Sequence, residues 1–350
     1  MKPFAILLVL LATVPVGEAR GVPSPKVDVL TVHSPGLEGN AFGDSADQQV
    51  AVYLPPGYDK SSRRYPVIYL LHGIGDDYHA WTEFFDAPAT LDRLIASADM
   101  PPVIAVMPNS SSRFLGTYYV NSPVNGRWED YVANDVVALI DRKYRTLAKR
   151  ESRALVGHSM GGFGAISVGM HRADVFSVIY AISPCCLEMV EDVGFANDGA
   201  YREFLSFKSY EDADAALRQG HFYPVALLAI MSALAPNPGA PLNIDAPVKP
   251  DRNQFVPAHP AYERFRDAFP VRTAPRYADN LRTLSLLQIE YGFDDQFAHI
   301  PVATEHFADV LSDSRVPHVI EAYDGEHRNQ VKKRLETRIF PAVAAHLIQQ

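Results

Sequence analysis

The chain has 350 residues, 47% of them hydrophobic and 21% charged: ample apolar material for a core and too little charge for a disordered chain. Its formal net charge of -9 argues against nucleic acid as a partner. The length admits one large α/β domain or two smaller ones.

At the N-terminus Lys2 precedes an apolar stretch, residues 4–14, broken only by Thr13, and Gly17-Glu18-Ala19 supplies small residues of the kind a signal peptidase reads. Cleavage is expected after Ala19, leaving residues 20–350 as a single domain in a secreted or periplasmic protein. The apolar run falls short of the roughly 20 residues of a membrane span, so no stable insertion is expected after cleavage. Cleavage removes Lys2 and Glu18 together, and the net charge is unchanged.

Downstream, residues 27–30 and 48–54 read as strands, and Pro55-Pro56-Gly57-Tyr58 turns the chain. Residues 66–71 form a continuous apolar run, as a strand buried on both faces would. Helical spacing follows over 84–98, a second buried strand over 102–107, and a helix over 131–144. Residues 153–156, 177–182, 284–291 and 316–322 are the remaining strands, and 339–348 belong to a closing helix. Alternating strands and helices predict a mostly parallel central sheet with helices on both faces, whose ligands bind at the carboxyl ends of the strands. Residues 187–283 break this rhythm. They include helical spacing over 210–217 and 225–234 and a proline-rich stretch from Pro236 to Pro260, and they read as an inserted lid or cap.

The two cysteines, Cys185 and Cys186, are adjacent. Cα atoms of an ordinary disulfide sit about 4.4–6.8 Å apart, against about 3.8 Å for neighbours, so only a strained vicinal bond could join them. The plainer reading is two small buried residues after a strand. No C-x-x-C or H-E-x-x-H pattern occurs, and neither metal nor cofactor is expected.

Gly157-His158-Ser159-Met160-Gly161 fits G-x-S-x-G, with a strand before it and a helix after it. A serine on such a sharp turn has its hydroxyl pushed clear of the sheet edge, and the glycines let the turn close. A serine hydroxyl needs a base, and the base needs an orienting acid. With the chain order Ser, acid, His, the best histidine is His327, exposed by the turn Tyr323-Asp324-Gly325-Glu326 after the last strand. His171, His221, His259, His299, His306, His318 and His346 fit less well, His299 and His306 because they sit on the preceding helix. The acid should close the previous strand at Gly292-Phe293-Asp294-Asp295. Asp295 is chosen over Asp294 from its spacing after Gly292, and Glu290 is a third choice. Oxyanion donors are expected from the backbone amides of Met160 and Ile74. His72 and His158 read as supporting hydrogen-bonders.

Taken together, Leu70-Leu71-His72-Gly73-Ile74-Gly75-Asp76-Asp77 with Trp81, Arg127-Trp128-Glu129-Asp130-Tyr131, the elbow, the Gly292 turn and Gly325-Glu326-His327 resemble the esterase D-like branch of α/β-hydrolases. That group includes S-formylglutathione hydrolases, feruloyl, acetylxylan and enterochelin-type esterases, and secreted mycolyltransferases. The resemblance covers residues 48–348 and implies an α/β-hydrolase fold, a Ser159–Asp295–His327 triad and oxyanion amides at Ile74 and Met160. It gives Trp81, Trp128 and Glu129 either substrate contact or core packing. The 187–283 insertion and the Cys185-Cys186 pair depart from the compact members where acyl specificity would be set. The expected substrate is a small-molecule or carbohydrate-linked carboxylic ester, with water or an alcohol as acyl acceptor. A peptidase or a non-catalytic binding protein would be the alternative outcomes.

Overall fold

The computed structural model describes residues 24–252 and 254–350. The expected export segment, residues 1–19, lies outside them. Eight strands form the main sheet: β1 (Lys26–His33), β2 (Asp47–Leu54), β3 (Val67–Leu71), β4 (Ile104–Pro108), β5 (Arg153–His158), β6 (Val178–Ile182), β7 (Leu286–Gly292) and β8 (Val319–Tyr323). Their spatial order is β1-β2-β4-β3-β5-β6-β7-β8. Only β1 with β2 and β2 with β4 are antiparallel; every other pair is parallel.

Side chains of β3, β5 and β6 alternate between two apolar layers. Tyr69, Leu71, Leu155, Ile179 and Ala181 face one layer, and Ile68, Leu70, Ala154, Val156 and Tyr180 the other. All are fully buried, which explains why these strands read as continuous apolar runs. Each large aliphatic side chain so placed contributes roughly 1.5–3 kcal/mol. Helix α1 (Ala87–Ala96) covers the second layer with the C-terminal helical run Val331–Arg334, Leu335–Ile339 and Phe340–Ala345. Helices α2 (Val137–Lys143) and α3 (Met160–His171) cover the first, and α3 is buried at every residue but its last.

Some element boundaries differ from expectation. The helix expected over 84–98 begins at Ala87, because Asp86 adopts a left-handed φ of 52° and separates it from a wide turn at Ala80–Phe84. That over 131–144 opens as a wide turn, Tyr131–Val136, and is regular only in α2. The last strand begins at Val319, not at residue 316. Val316 instead closes the preceding helix, donating its N–H to the Leu311 carbonyl at 2.9 Å and packing in the core.

Residues 187–283 fold into α4 (Asp198–Ser206), α5 (Tyr210–Arg218) and α6 (Phe222–Leu234), a ribbon of Val248–Asp251 against Gln254–Pro257, and short helices up to Arg282. Helix α4 was not anticipated. The segment is tied down by side chains from the strand-end loops. Arg113 makes a two-pronged contact with Asp214 of α5 at 3.2 and 2.6 Å, and the Ser122 hydroxyl donates to the Ser232 carbonyl of α6 at 2.6 Å.

Candidate active site

Strand β5 ends at His158, α3 begins at Met160, and Ser159 between them takes φ 56° and ψ -118°. This conformation is costly for a side-chain-bearing residue and persists only where its surroundings over-determine it. Here the surroundings are backbone. A Cβ on Gly157 would sit 1.9 Å from the Gly161 carbonyl oxygen, and one on Gly161 would sit 2.0 Å from that of Leu71. The Ser159 N–H donates to the Ile182 carbonyl at 2.9 Å, while its carbonyl accepts from Phe163 and Cys185 at 3.0 and 3.1 Å. The turn is thereby fixed to β6 and α3.

Two strands away, β7 ends at Gly292 and delivers Asp295. Its side chain is completely buried; Oδ1 accepts the Phe297 N–H at 2.9 Å and Oδ2 faces His327 Nδ1 at 2.8 Å. An Nδ1–H donated to that carboxylate leaves Nε2 as the free ring nitrogen. Asp294 is exposed, its N–H bonded to the Gly325 carbonyl at 3.0 Å. Glu290 points away into the second layer, where Tyr180 and Arg334 hold it.

His327 follows β8 and is nearly buried. Its carbonyl accepts from His158 Nε2 at 2.9 Å, which couples the histidine loop to the serine turn, and Phe297 meets its ring edge-on at 4.9 Å. Burial, then the neighbouring His327, holds the His158 imidazole well below the usual histidine range, so it is a neutral donor. No hydrogen bond joins the Ser159 hydroxyl to His327 among the described residues. Such contacts are commonly long before substrate binds.

Ile74 lies beside Ser159, in a loop set by Gly75 N–H to the Leu115 carbonyl at 2.8 Å and Asp76 N–H to that of Gly73 at 3.2 Å. Met160 opens α3, so its N–H is among those a helix leaves unpartnered. His72 accepts from the Ser110 N–H at 2.8 Å and donates to the Gly73 carbonyl at 2.9 Å; burial lowers its pKa, and it shapes the loop as a neutral ring. Trp81, Trp128 and Glu129 are all buried. Trp128 bonds the Asn125 carbonyl and Glu129 pairs with His171, so both pack and brace rather than face a ligand.

Ser159 opens on a cavity of about 40 Å³. Its apolar walls include Ile74, Tyr118, Phe222, Tyr223, Phe297 and Ile300, with Phe222 and Tyr223 supplied by α6. Cys185, Cys186 and His299 also line it. His299, set aside in the sequence as a helix residue, is the first residue of α7 (His299–Asp313) and faces the same space as Ser159. Its partner Asp192 carries no sequence signal. The position of Cys186 just past the end of β6 is the clue that could have singled it out. On the other side of the Ile74 loop is an open hollow of about 430 Å³, lined by Asp76, Asp77, His79, Phe84, Ser111 and Arg328 among others. Arg328 pairs with Asp76 at 3.2 Å and stacks 4.4 Å from the Phe84 ring. Among the described residues, no group of three or more His, Cys, Asp or Glu side chains is arranged to hold a metal.

The Esterase family model matches residues 45–333. The chain belongs to the Esterase family. Among curated proteins this Esterase-family chain is 31% identical over 133 residues to an endo-1,4-beta-xylanase/feruloyl esterase of Xylanibacter ruminicola, covering 37% of the chain and 18% of that protein. It is 38% identical over 118 residues to an esterase of Mycobacterium tuberculosis, covering 33% of the chain and 25% of that protein. The matched segments therefore span a quarter or less of these relatives. A ferulic acid esterase structure superimposes with a TM-score of 0.64 at 21% identity, over 92% of this chain and 99% of that one, which establishes the α/β-hydrolase fold. Among the described residues of this Esterase-family member, no helix is long and apolar enough to cross a membrane.

Proposed function

We propose that the chain is an exported serine carboxylic-ester hydrolase working through an acyl-enzyme on Ser159. One observation carries this reading: a buried Asp295–His327 pair at the ends of β7 and β8, coupled through His158 to a serine on a strained turn. In the proposed reaction Ser159 Oγ attacks the ester carbonyl while its proton passes to His327 Nε2. Asp295 holds the ring and supports its positive charge. The developing oxyanion is met by the Ile74 and Met160 amides, a contribution of roughly 100- to 1000-fold in rate per donor. His327 then protonates the leaving alcohol, and water repeats the sequence to release the acid. Export rests on residues 1–19.

The cavity supports a short acyl group: about 40 Å³ lies beside Ser159, with Phe222 and Phe297 in its wall. The test is hydrolysis of p-nitrophenyl esters from acetate to palmitate, with a feruloyl ester and with an added polyol. Acetate and butyrate are expected to exceed palmitate in kcat/KM at least tenfold, with free acid as product. Preference for palmitate would sink the short-acyl assignment. Transfer to the polyol in place of free acid would convert the hydrolase into an acyltransferase using the same residues. No turnover of any ester would overturn the reading itself.

The two aspartates separate cleanly. Asp295→Asn is expected to lower kcat by roughly 10⁴-fold, because the amide presents the wrong hydrogen-bonding partner to Nδ1. Asp294→Asn, at an exposed carboxylate, is expected to stay within about twofold. Equal losses from the two variants would refute the assignment.

A further inference from the structure

Cys186 is not placed like an ordinary core cysteine. It adopts a left-handed φ of 57°, turns into the cavity that Ser159 opens on, and meets His299 Nε2 with its sulfur at 3.9 Å. The other nitrogen of that ring, Nδ1, lies 2.9 Å from Asp192 Oδ1, which also accepts the His299 backbone N–H at 2.8 Å. Asp192 is fixed in turn by the Tyr223 hydroxyl at 2.8 Å, and the Tyr118 hydroxyl lies 3.9 Å from the Cys186 sulfur. Thiol, imidazole and carboxylate thus stand in line, a relay of the kind that activates a sulfur nucleophile. None of them is used by the proposed ester chemistry.

We propose that Cys186 is a reactive thiolate and the modification site of this cavity, taking small uncharged electrophiles such as peroxides, and that its modification closes the space beside Ser159.

The electrostatics agree with the geometry. The Cys185 thiol's hydrogen bond, and then against burial the contacts of His299 and Tyr118, bring Cys186 down to about 6. Burial opposes charge on His299, but hydrogen bonds to Asp192 and Cys186 outweigh it and raise the ring to about 9. Burial also opposes charge on Asp192, and His299 and Tyr223 hold it at about 2. Burial raises the Cys185 thiol, a shift opposite in direction to that of Cys186. The groups acting on Cys186 are therefore Cys185, His299 and Tyr118, with Asp192 behind His299. Tyr201 and Tyr223 feel its charge, and burial raises both phenols.

With a peroxide the reaction balances within the site. The Cys186 sulfur attacks one peroxide oxygen, an S–O bond forms and the O–O bond breaks. Sulfur is oxidised by two electrons to the sulfenic acid. The departing hydroxide takes the proton of His299 Nε2 and leaves as water. The apolar walls and the volume of about 40 Å³ select for small neutral reagents. An adduct there occupies the proposed acyl space, so this second half rests on the ester-hydrolase reading and the first half does not.

The test uses iodoacetamide on the full chain, with each cysteine followed by peptide mass spectrometry between pH 5 and 9. Cys186 is expected to be alkylated at least tenfold faster than Cys185 at pH 7, with a rate that reaches half its plateau near pH 6. In His299→Gln the inflection is expected to move up about two pH units. At pH 6 its rate falls roughly fivefold, since a roughly 50-fold smaller thiolate fraction outweighs a roughly tenfold gain in intrinsic nucleophilicity. Equal labelling of the two cysteines, no labelling of the folded chain where the unfolded chain reacts, or a wild-type inflection between pH 8 and 9 would each overturn the proposal. The wild-type profile decides even if His299→Gln does not fold. Ester turnover followed on the same samples is expected to fall in proportion to Cys186 labelling. Turnover that persists in fully labelled protein refutes the blocking. Absence of turnover before labelling refutes the reading of Ser159 and leaves the thiolate standing.

Discussion

Ser159→Ala is expected to abolish ester hydrolysis, lowering kcat by about 10⁴- to 10⁶-fold, with the fold intact. The substitution deletes one oxygen from a residue whose backbone is set by Gly157, Gly161 and the carbonyl of Ile182, none of which it disturbs. Alanine and serine carry the same Cβ, so the strained φ of 56° costs both alike. The amides of Ile74 and Met160 remain and should still bind the carbonyl, which keeps KM near its original value and leaves a small residual rate over water. Steady-state kinetics with a p-nitrophenyl ester, beside a thermal melt of both proteins, checks this. A variant that melts normally and keeps more than about 1% of the rate would exclude Ser159 as the nucleophile.

The second large effect is on stability. Glu290 of β7 has a fully buried carboxylate that accepts from the Tyr180 hydroxyl at 2.6 Å and from Arg334 Nε and Nη2 at 2.9 and 2.7 Å. Arg334 also reaches Glu321 of β8 at 2.9 Å and lies 4.2 Å over the Tyr323 ring. Hydrogen bonds to both carboxylates outweigh its burial, and its pKa is raised. Arg334→Leu strands the Glu290 charge in an apolar layer, which costs about 3–5 kcal/mol, or on the order of 10 °C in Tm. Replacing both charges with leucine should be far milder, because paired buried ions exchange for apolar packing at little net cost. If the double variant melts as low as Arg334→Leu, the damage comes from lost packing around the guanidinium and not from an unpaired charge.

The parallel sheet was legible because each central strand is a short apolar run ending in a turn. The same runs placed Ser159, Asp295 and His327 at strand ends, where the structure puts them. Helix α4 was not legible: its buried residues, Ala200, Tyr201 and Phe204, are too few and too close to Gly199 to show a stripe. Nor could periodicity separate the wide turn at Tyr131–Val136 from regular helix, since Val132 and Val136 keep the four-residue spacing of a buried helical face. The Cys186–His299–Asp192 cluster joins residues 107 and 113 positions apart across the segment over the cavity, and no local pattern encodes that meeting.

The chain order of the strands bears on when the proposed site can assemble. Ser159 sits mid-chain, whereas Asp295 and His327 arrive on β7 and β8, after the excursion of residues 183–285. Chains fold progressively as they emerge during synthesis, and pairings between distant segments form late. A nascent polypeptide can therefore present a finished elbow with nothing to deprotonate it. On the proposed ester chemistry, Ser159 would lack its base until the last strand docks at the sheet edge, so roughly the last fifth of the chain would act as a built-in timer that withholds reactivity from an incomplete molecule.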